Sequence, residues 1–173
     1  MRLSLLGVYA GTVVYSKRVC NALKKEAKNM PIVQRFAQVF GAIYVLVGVA
    51  GFIPPLLIGS LPAGVLGPFA GMLLALFAVN WFHNVAHLAI GAVGLALYRS
   101  YSASKAYALA LGLAYAGLFV LGVLSSEVAT LGGLLPLNGL DDVLHIGTSL
   151  VAFAAFFTAR LPESERSAAQ PRA

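Results

Sequence analysis

Residues 36–98 read FAQVFGAIYVLVGVAGFIPPLLIGSLPAGVLGPFAGMLLALFAVNWFHNVAHLAIGAVGLALY, and none of them is Asp, Glu, Lys or Arg. A helix needs about 20 apolar residues to cross the hydrocarbon of a bilayer, so this run is long enough for two crossings. Its middle is rich in helix breakers: Pro54, Pro55, Gly59, Pro62, Gly64 and Pro68. A continuous helix in lipid does not carry such a density of them, and the run therefore predicts two membrane helices joined by a loop.

The rest of the chain repeats this composition. It is 60% hydrophobic and only 10% charged, whereas a soluble domain has roughly 25% charged residues. Two further runs, 106–126 and 143–159, contain no charged residue, and each is long enough for one crossing. We therefore predict an all-α fold, a four-transmembrane-helix bundle, with spans at about 36–55, 70–98, 106–125 and 141–160.

The basic residues all fall on one side of this arrangement. Before the first span, between the second and third, or after the fourth lie Arg2, Lys17, Arg18, Lys24, Lys25, Lys28, Arg35, Arg99, Lys105, Arg160, Arg166 and Arg172. The opposite loops carry Glu127, Asp141 and Asp142 instead. By the positive-inside rule, both termini are predicted to be cytoplasmic in a multi-pass protein. The net charge of +6 then reflects topology and anionic headgroups, and it does not indicate a nucleic-acid partner.

The chain is predicted to have three parts. Residues 1–30 form a basic amphipathic arm, read as a helix lying on the inner membrane surface, with an uncleaved short hydrophobic arm as the alternative. Residues 31–161 form the transmembrane domain, and residues 162–173 form a disordered cytoplasmic tail. The single cysteine, Cys20, cannot form an intramolecular disulfide and is read as a structural thiol.

Helix association in lipid depends on close backbone approach and on interhelical hydrogen bonds, because there is little hydrophobic drive. Ala108, Gly112 and Ala116 recur every four residues on the third helix and predict a flat packing stripe. Glycines also punctuate the first helix. These are packing features and indicate no activity.

The polar residues of the second and fourth spans are the informative feature. Four of them share one face of the second helix because they lie at relative positions 0, 3, 4 and 7: Asn80, His83, Asn84 and His87. On the fourth helix Asp141 and His145 are four residues apart and Thr148 continues the stripe. If the two helices are neighbours, these residues and Asp142 form one polar cluster near the outer surface, with His87 one turn deeper.

Three interpretations of this cluster remain open. It can be structural glue, in which Asn and His bond across helices and Asp141 and Asp142 cap a helix N-terminus. It can be a metal site, because His83 and His87 have i, i+4 spacing and His145 with an aspartate completes an N/O set. It can hold a tetrapyrrole, haem or chlorophyll, with His83 and His145 as axial ligands.

Signatures of catalysis are missing from the sequence. We identify no Ser-His-Asp arrangement, no Gly-rich phosphate loop and no Cys-x-x-Cys. We therefore predict that the protein is not an enzyme but a structural or accessory subunit of a membrane complex. The alternative is a metal- or tetrapyrrole-binding membrane protein. Predicted partners are the lipid bilayer and a larger membrane complex or a second copy of the chain, with the basic arm as the docking element.

Three segments, 35–54, 80–96 and 134–147, resemble a bacterial family of four-helix membrane proteins known as domain of unknown function 4383. The family stripe with two histidines is matched by Asn84 and His87 with His83. Its second stripe is matched by Asn138, by Asp141 or Asp142, and by His145. The resemblance covers about residues 32–160 and implies a bundle in the bacterial inner membrane, without implying an activity. The basic arm before Pro31 departs from the short tail expected of the family.

Overall fold

The computed structural model describes residues 19–21, 30–60, 64–124, 129–130 and 133–161. The chain divides into two compact units, Met1–Met30 and Pro31–Ala173. In the first unit, residues 19–21 are helical and Cys20 is exposed. The rest of the predicted interfacial helix, and the predicted tail at 162–173, lie outside the described residues.

Four helices make up most of the second unit, which confirms the predicted predominance of helix. They are α1 (Ile32–Ala50), α2 (Trp81–Leu97), α3 (Tyr101–Leu124) and α4 (Gly139–Thr158). By length and composition α1, α3 and α4 are suited to cross a membrane, whereas α2 is apolar but shorter, at 17 residues. The structure therefore contains three candidate membrane spans among the residues it describes.

The sequence prediction placed the start of the second helix at residue 70, but α2 begins at Trp81. Residues before it form an antiparallel hairpin of β1 (Gly71–Leu73) and β2 (Phe77–Val79), with Gly71 opposite Val79. Leu74 and Ala75 have φ of 53° and 61°, a left-handed conformation that no right-handed helix can contain. The chain therefore turns back on itself here, although every residue of the hairpin is apolar.

Short backbone contacts join the loops at this end of the unit. Pro54–Leu56 form a 3₁₀ turn, and Leu57 pairs with Leu73 beside the hairpin. A second hairpin consists of β3 (Ala129–Thr130) and β4 (Leu135–Pro136). The Leu66 amide donates to the Gly133 carbonyl at 3.2 Å, which connects the α1–α2 loop to the α3–α4 loop.

The helices pack mainly as two antiparallel pairs, α1 with α2 and α3 with α4. Glycines bring α1 and α2 together so closely that a Cβ at Gly91 would lie 2.7 Å from the Gly41 carbonyl oxygen. A core of buried aromatic and aliphatic residues from α1, α3 and α4 joins the two helix pairs. It lies around Phe36 and Tyr107, at the end of the unit away from the hairpins. By contrast, α1 and α4 make few contacts with each other. This leaves a gap between them.

The three residues of the predicted packing stripe on α3 differ in how closely they pack against neighbouring helices. Ala108 is fully buried in the core, and a Cβ at Gly112 would lie 2.9 Å from the Phe153 ring on α4. The Gly112 carbonyl also accepts a hydrogen bond from the Ser149 hydroxyl at 2.8 Å. Ala116 is only half-buried. Close packing of α3 on α4 is thus centred on Gly112.

Candidate functional site

Asn80 is a structural residue that connects three segments of the chain. Its side-chain oxygen accepts from the His83 amide at 2.9 Å and so caps α2. Its side-chain nitrogen donates to the carbonyls of Leu66 and Leu134, each at 2.9 Å. Because Asn80 is fully buried, these bonds satisfy groups that water cannot reach.

Two other asparagines also bond to the backbone. The Asn84 side chain donates to the carbonyl of Gly51, just beyond the end of α1, at 2.7 Å. Asn138 forms a capping box at the start of α4, where its own amide donates to the Asp141 carboxylate at 2.9 Å. The Asn138 side chain also donates to the Leu76 carbonyl at 2.8 Å. These side-chain amides therefore bond to backbone carbonyls outside the helices, and the predicted side-chain bonding across helices stays a prediction for the asparagines.

The two adjacent aspartates point in different directions. Asp141 is buried, caps α4 and lies beside the Ala78 backbone amide of β2. Asp142 instead lies against Gly122 on α3, where a Cβ would overlap its carboxylate. The structure therefore does not bring Asp142 into a common cluster with the histidines.

The three histidines do come together, in a row with two tyrosines. The row, which we call the aromatic arc, runs through five rings in the order His83, His87, Tyr44, Tyr115 and His145. Successive ring centroids are 4.6, 5.2, 5.7 and 5.0 Å apart. The arc thus crosses all four helices, with a histidine at each end.

The aromatic arc lines a cavity of about 650 Å³ in the gap between α1 and α4, which we call the α1/α4 groove. Exposed apolar residues form its rim on both helices: Ile43, Leu46, Leu144 and Val151. Hairpin residues Leu73, Phe77 and Val79 close one end. The groove is therefore apolar at its mouth and carries its polar atoms deeper, among the aromatic rings.

Two imidazole nitrogens of the aromatic arc lack a hydrogen-bond partner among the described residues. They are Nδ1 of His83 and Nδ1 of His145, and each residue is only 4% exposed. The Pro136 carbonyl lies beside the His83 ring, but it does not form a hydrogen bond of standard geometry with Nδ1. The other ring nitrogen of His83, Nε2, is 3.0 Å from Nε2 of His87, so one of these two rings donates to the other. Buried polar atoms are rarely left unpaired, which makes these two nitrogens candidates for contact with a bound molecule.

The same geometry tests the metal hypothesis. Within the described part of the chain, no three His, Cys, Asp or Glu side chains form a group that could hold a metal ion. The Nε2 atoms of His83 and His87 pair with each other, and the Asp141 carboxylate is occupied with backbone amides. The residues therefore do not provide the N/O set predicted for a metal, and the tetrapyrrole hypothesis stays a prediction.

Sequence analysis missed two residues of the groove, Tyr44 and Tyr115. The Tyr44 hydroxyl makes hydrogen-bonding contact with those of Tyr115 and Thr148, so α1, α3 and α4 meet at these groups. A signal was present in the sequence, because a tyrosine in the middle of an apolar span needs a partner for its hydroxyl. The other tyrosines of the spans, by contrast, lie near a basic boundary.

Comparison with known protein families gives a match over most of the chain. The family model described as "Domain of unknown function (DUF4383)" matches residues 34–158, which include the groove and all four helices except the first two residues of α1. No curated protein and no solved structure matches the chain.

Proposed function

The chain belongs to the DUF4383 family, and from this premise we propose that it is a membrane protein that binds a neutral, lipid-like molecule in the α1/α4 groove. The two unpartnered buried imidazole nitrogens carry the proposal, because they offer hydrogen bonds inside a mostly apolar cavity. The volume of about 650 Å³ falls within the range typical of small-molecule sites. The protein is proposed to be a binding module and not an enzyme.

The charge of the groove favours an uncharged ligand. Among its described lining residues there is no lysine or arginine, and its one acidic residue, Asp141, already accepts hydrogen bonds from the backbone. A charged headgroup would lose its hydration here without gaining an opposite charge. An amphiphile with a polar, uncharged head and an apolar tail can bond to the imidazoles and leave its tail along the exposed rim.

The surrounding membrane is proposed to be the bacterial inner membrane, crossed four times with both termini in the cytoplasm. The apolar composition of all four helices supports this arrangement, and so does the distribution of the basic residues. In α2, 17 residues rise only about 25 Å. The β1–β2 hairpin before α2, with largely buried strands and an exposed turn at Leu74 and Leu76, would fill the remaining depth. The role of an accessory subunit depends on the basic arm, which lies largely outside the described residues, and it stays a prediction.

The native cysteine tests the orientation. We expect a membrane-impermeant maleimide to label Cys20 in inverted vesicles but not in intact spheroplasts. A Leu66→Cys variant in a Cys20→Ser background should show the opposite pattern, because Leu66 is 60% exposed in the loop proposed to face outward. Labelling of both positions from the same side would contradict the proposed topology.

Gly147 provides a test of the groove. It lines the groove, and a Cβ at this position meets no atom within 4 Å, so a larger side chain can begin there without a clash and take up space in the groove. We expect Gly147→Leu to lower the amount of neutral lipid that co-purifies with the protein at least tenfold, measured by native mass spectrometry and by analysis of the organic extract.

The matched control is Gly117→Leu on α3. A Cβ there also meets no atom within 4 Å, but Gly117 does not line the groove. Both substitutions replace a helical glycine by a better helix former, so neither should destabilise the protein. An identical lipid content in the wild type, Gly147→Leu and Gly117→Leu would rule out the groove as a binding site.

A further inference from the structure

We infer that the molecule bound in the α1/α4 groove is an isoprenoid quinone or its quinol form. The inference rests on the proposed function and names the chemistry of its ligand. It comes from the position of the unpartnered nitrogens, which lie at the two ends of the aromatic arc.

The aromatic arc favours a flat aromatic head. Five rings follow one another with centroid separations of 4.6 to 5.7 Å, and all five line the groove. Aromatic rings pack favourably against another ring in offset or edge-on geometry. The glycerol head of an uncharged acylglycerol has no aromatic face to use this wall.

The ends of the arc favour a head with two polar groups. His83 begins the arc and His145 ends it, and each has its Nδ1 without a partner. The two imidazoles lie close enough to interact electrostatically. A 1,4-quinone carries an oxygen at each of two opposite ring positions, which provides one hydrogen-bonding group for each imidazole.

Histidine also suits both forms of such a ring. A neutral imidazole nitrogen either donates or accepts, according to its tautomer. It can donate to the carbonyl of a quinone and accept from the hydroxyl of a quinol. Binding alone is inferred, with the isoprenoid tail leaving between the rim residues Leu46 and Leu144, which are 68% and 52% exposed.

The experiment uses the full chain in nanodiscs of quinone-free phosphatidylcholine. The probes are a 1,4-naphthoquinone with a two-isoprene tail, a naphthalene with the same tail and no oxygens, and dioctanoylglycerol. We expect saturable one-to-one binding of the quinone, and at least tenfold weaker binding of the naphthalene, because each lost hydrogen bond weakens affinity by about tenfold.

Variants locate the two hydrogen bonds. His83→Phe and His145→Phe keep a ring in the arc but remove the nitrogen, so each should weaken quinone binding about tenfold and leave naphthalene binding unchanged. His145→Asn places a polar group near the original Nδ1 and should bind better than His145→Phe. The ligand comparison in the wild type needs no variant, so the test stands even if one variant does not fold.

The outcomes separate the inference from the proposed function. Equal binding of the quinone and the naphthalene would overturn the inference, and so would quinone binding that neither His→Phe variant weakens. Saturable binding of dioctanoylglycerol without quinone binding would overturn it as well, while preserving the groove as a lipid site. If no probe saturates and Gly147→Leu changes nothing, both the inference and the proposed function fail.

Discussion

Replacing Gly91 by leucine should separate α1 from α2 and leave the chain unfolded. A Cβ at this position would lie 2.6 Å from the backbone nitrogen of Val45 and 2.7 Å from the carbonyl oxygen of Gly41. These are backbone atoms within a helix, so they cannot move aside alone. Overpacking usually lowers the free energy of unfolding by about 1–3 kcal/mol, and because a helix must be displaced we expect a loss of about 3 kcal/mol or more for this variant.

The measurement is unfolding by sodium dodecyl sulfate in mixed micelles, followed by circular dichroism. Gly117→Leu is the control, because a Cβ at Gly117 meets no atom within 4 Å. It should unfold at the wild-type detergent fraction or slightly above it. Equal stability of the Gly91→Leu and Gly117→Leu variants would show that close approach of α1 and α2 is not required.

The position of these glycines also explains why a groove exists. Gly41 and Gly48 on α1 face the backbone of α2, and Gly112 on α3 makes room for the Phe153 ring of α4, so glycines allow close packing within each pair. Between α1 and α4 the facing residues are large and aliphatic, such as Leu46 and Leu144, and both remain exposed. No glycine contact among the described residues joins α1 to α4, and the groove lies between these two helices.

The helices could be located from the sequence because residues suited to a lipid environment are apolar and uncharged, and such runs stand out in the composition. A charge-free run predicted α3 at 106–125, and the helix is Tyr101–Leu124. The hairpin could not be located in this way, since Gly71–Leu73 and Phe77–Val79 are as apolar as a membrane helix. Asn80 was the overlooked signal, because an asparagine directly before an apolar run is a typical N-cap.

The candidate site was predictable only in part. Helical spacing correctly placed His83 and His87 on one side of α2, where their rings meet. Nothing in the sequence indicated that the asparagines on the same face have a different role from the histidines. The asparagines bond to loop carbonyls far away in sequence, such as Leu134, 54 residues from Asn80. Such contacts depend on how the loops fold over the helix ends, which no local pattern encodes.

Asn80→Asp should be the most damaging of the isosteric changes at the polar stripes. Aspartate can still cap α2, because it keeps an oxygen for the His83 amide. It replaces the donating nitrogen by an oxygen, which would face the Leu66 and Leu134 carbonyls at 2.9 Å in a fully buried position. Two lost hydrogen bonds and an unpaired buried charge should lower the free energy of unfolding by about 3–5 kcal/mol.

Asn138→Asp is the matched control, because Asn138 is also the N-cap of a helix and donates its side-chain nitrogen to one carbonyl, that of Leu76. Asn138 is only half-buried, so water can reach the altered group, and the expected loss is about 1 kcal/mol. Detergent unfolding of both variants measures the difference. If Asn80→Asp is no less stable than Asn138→Asp, Asn80 does not hold the two loops together, and its burial would need another explanation.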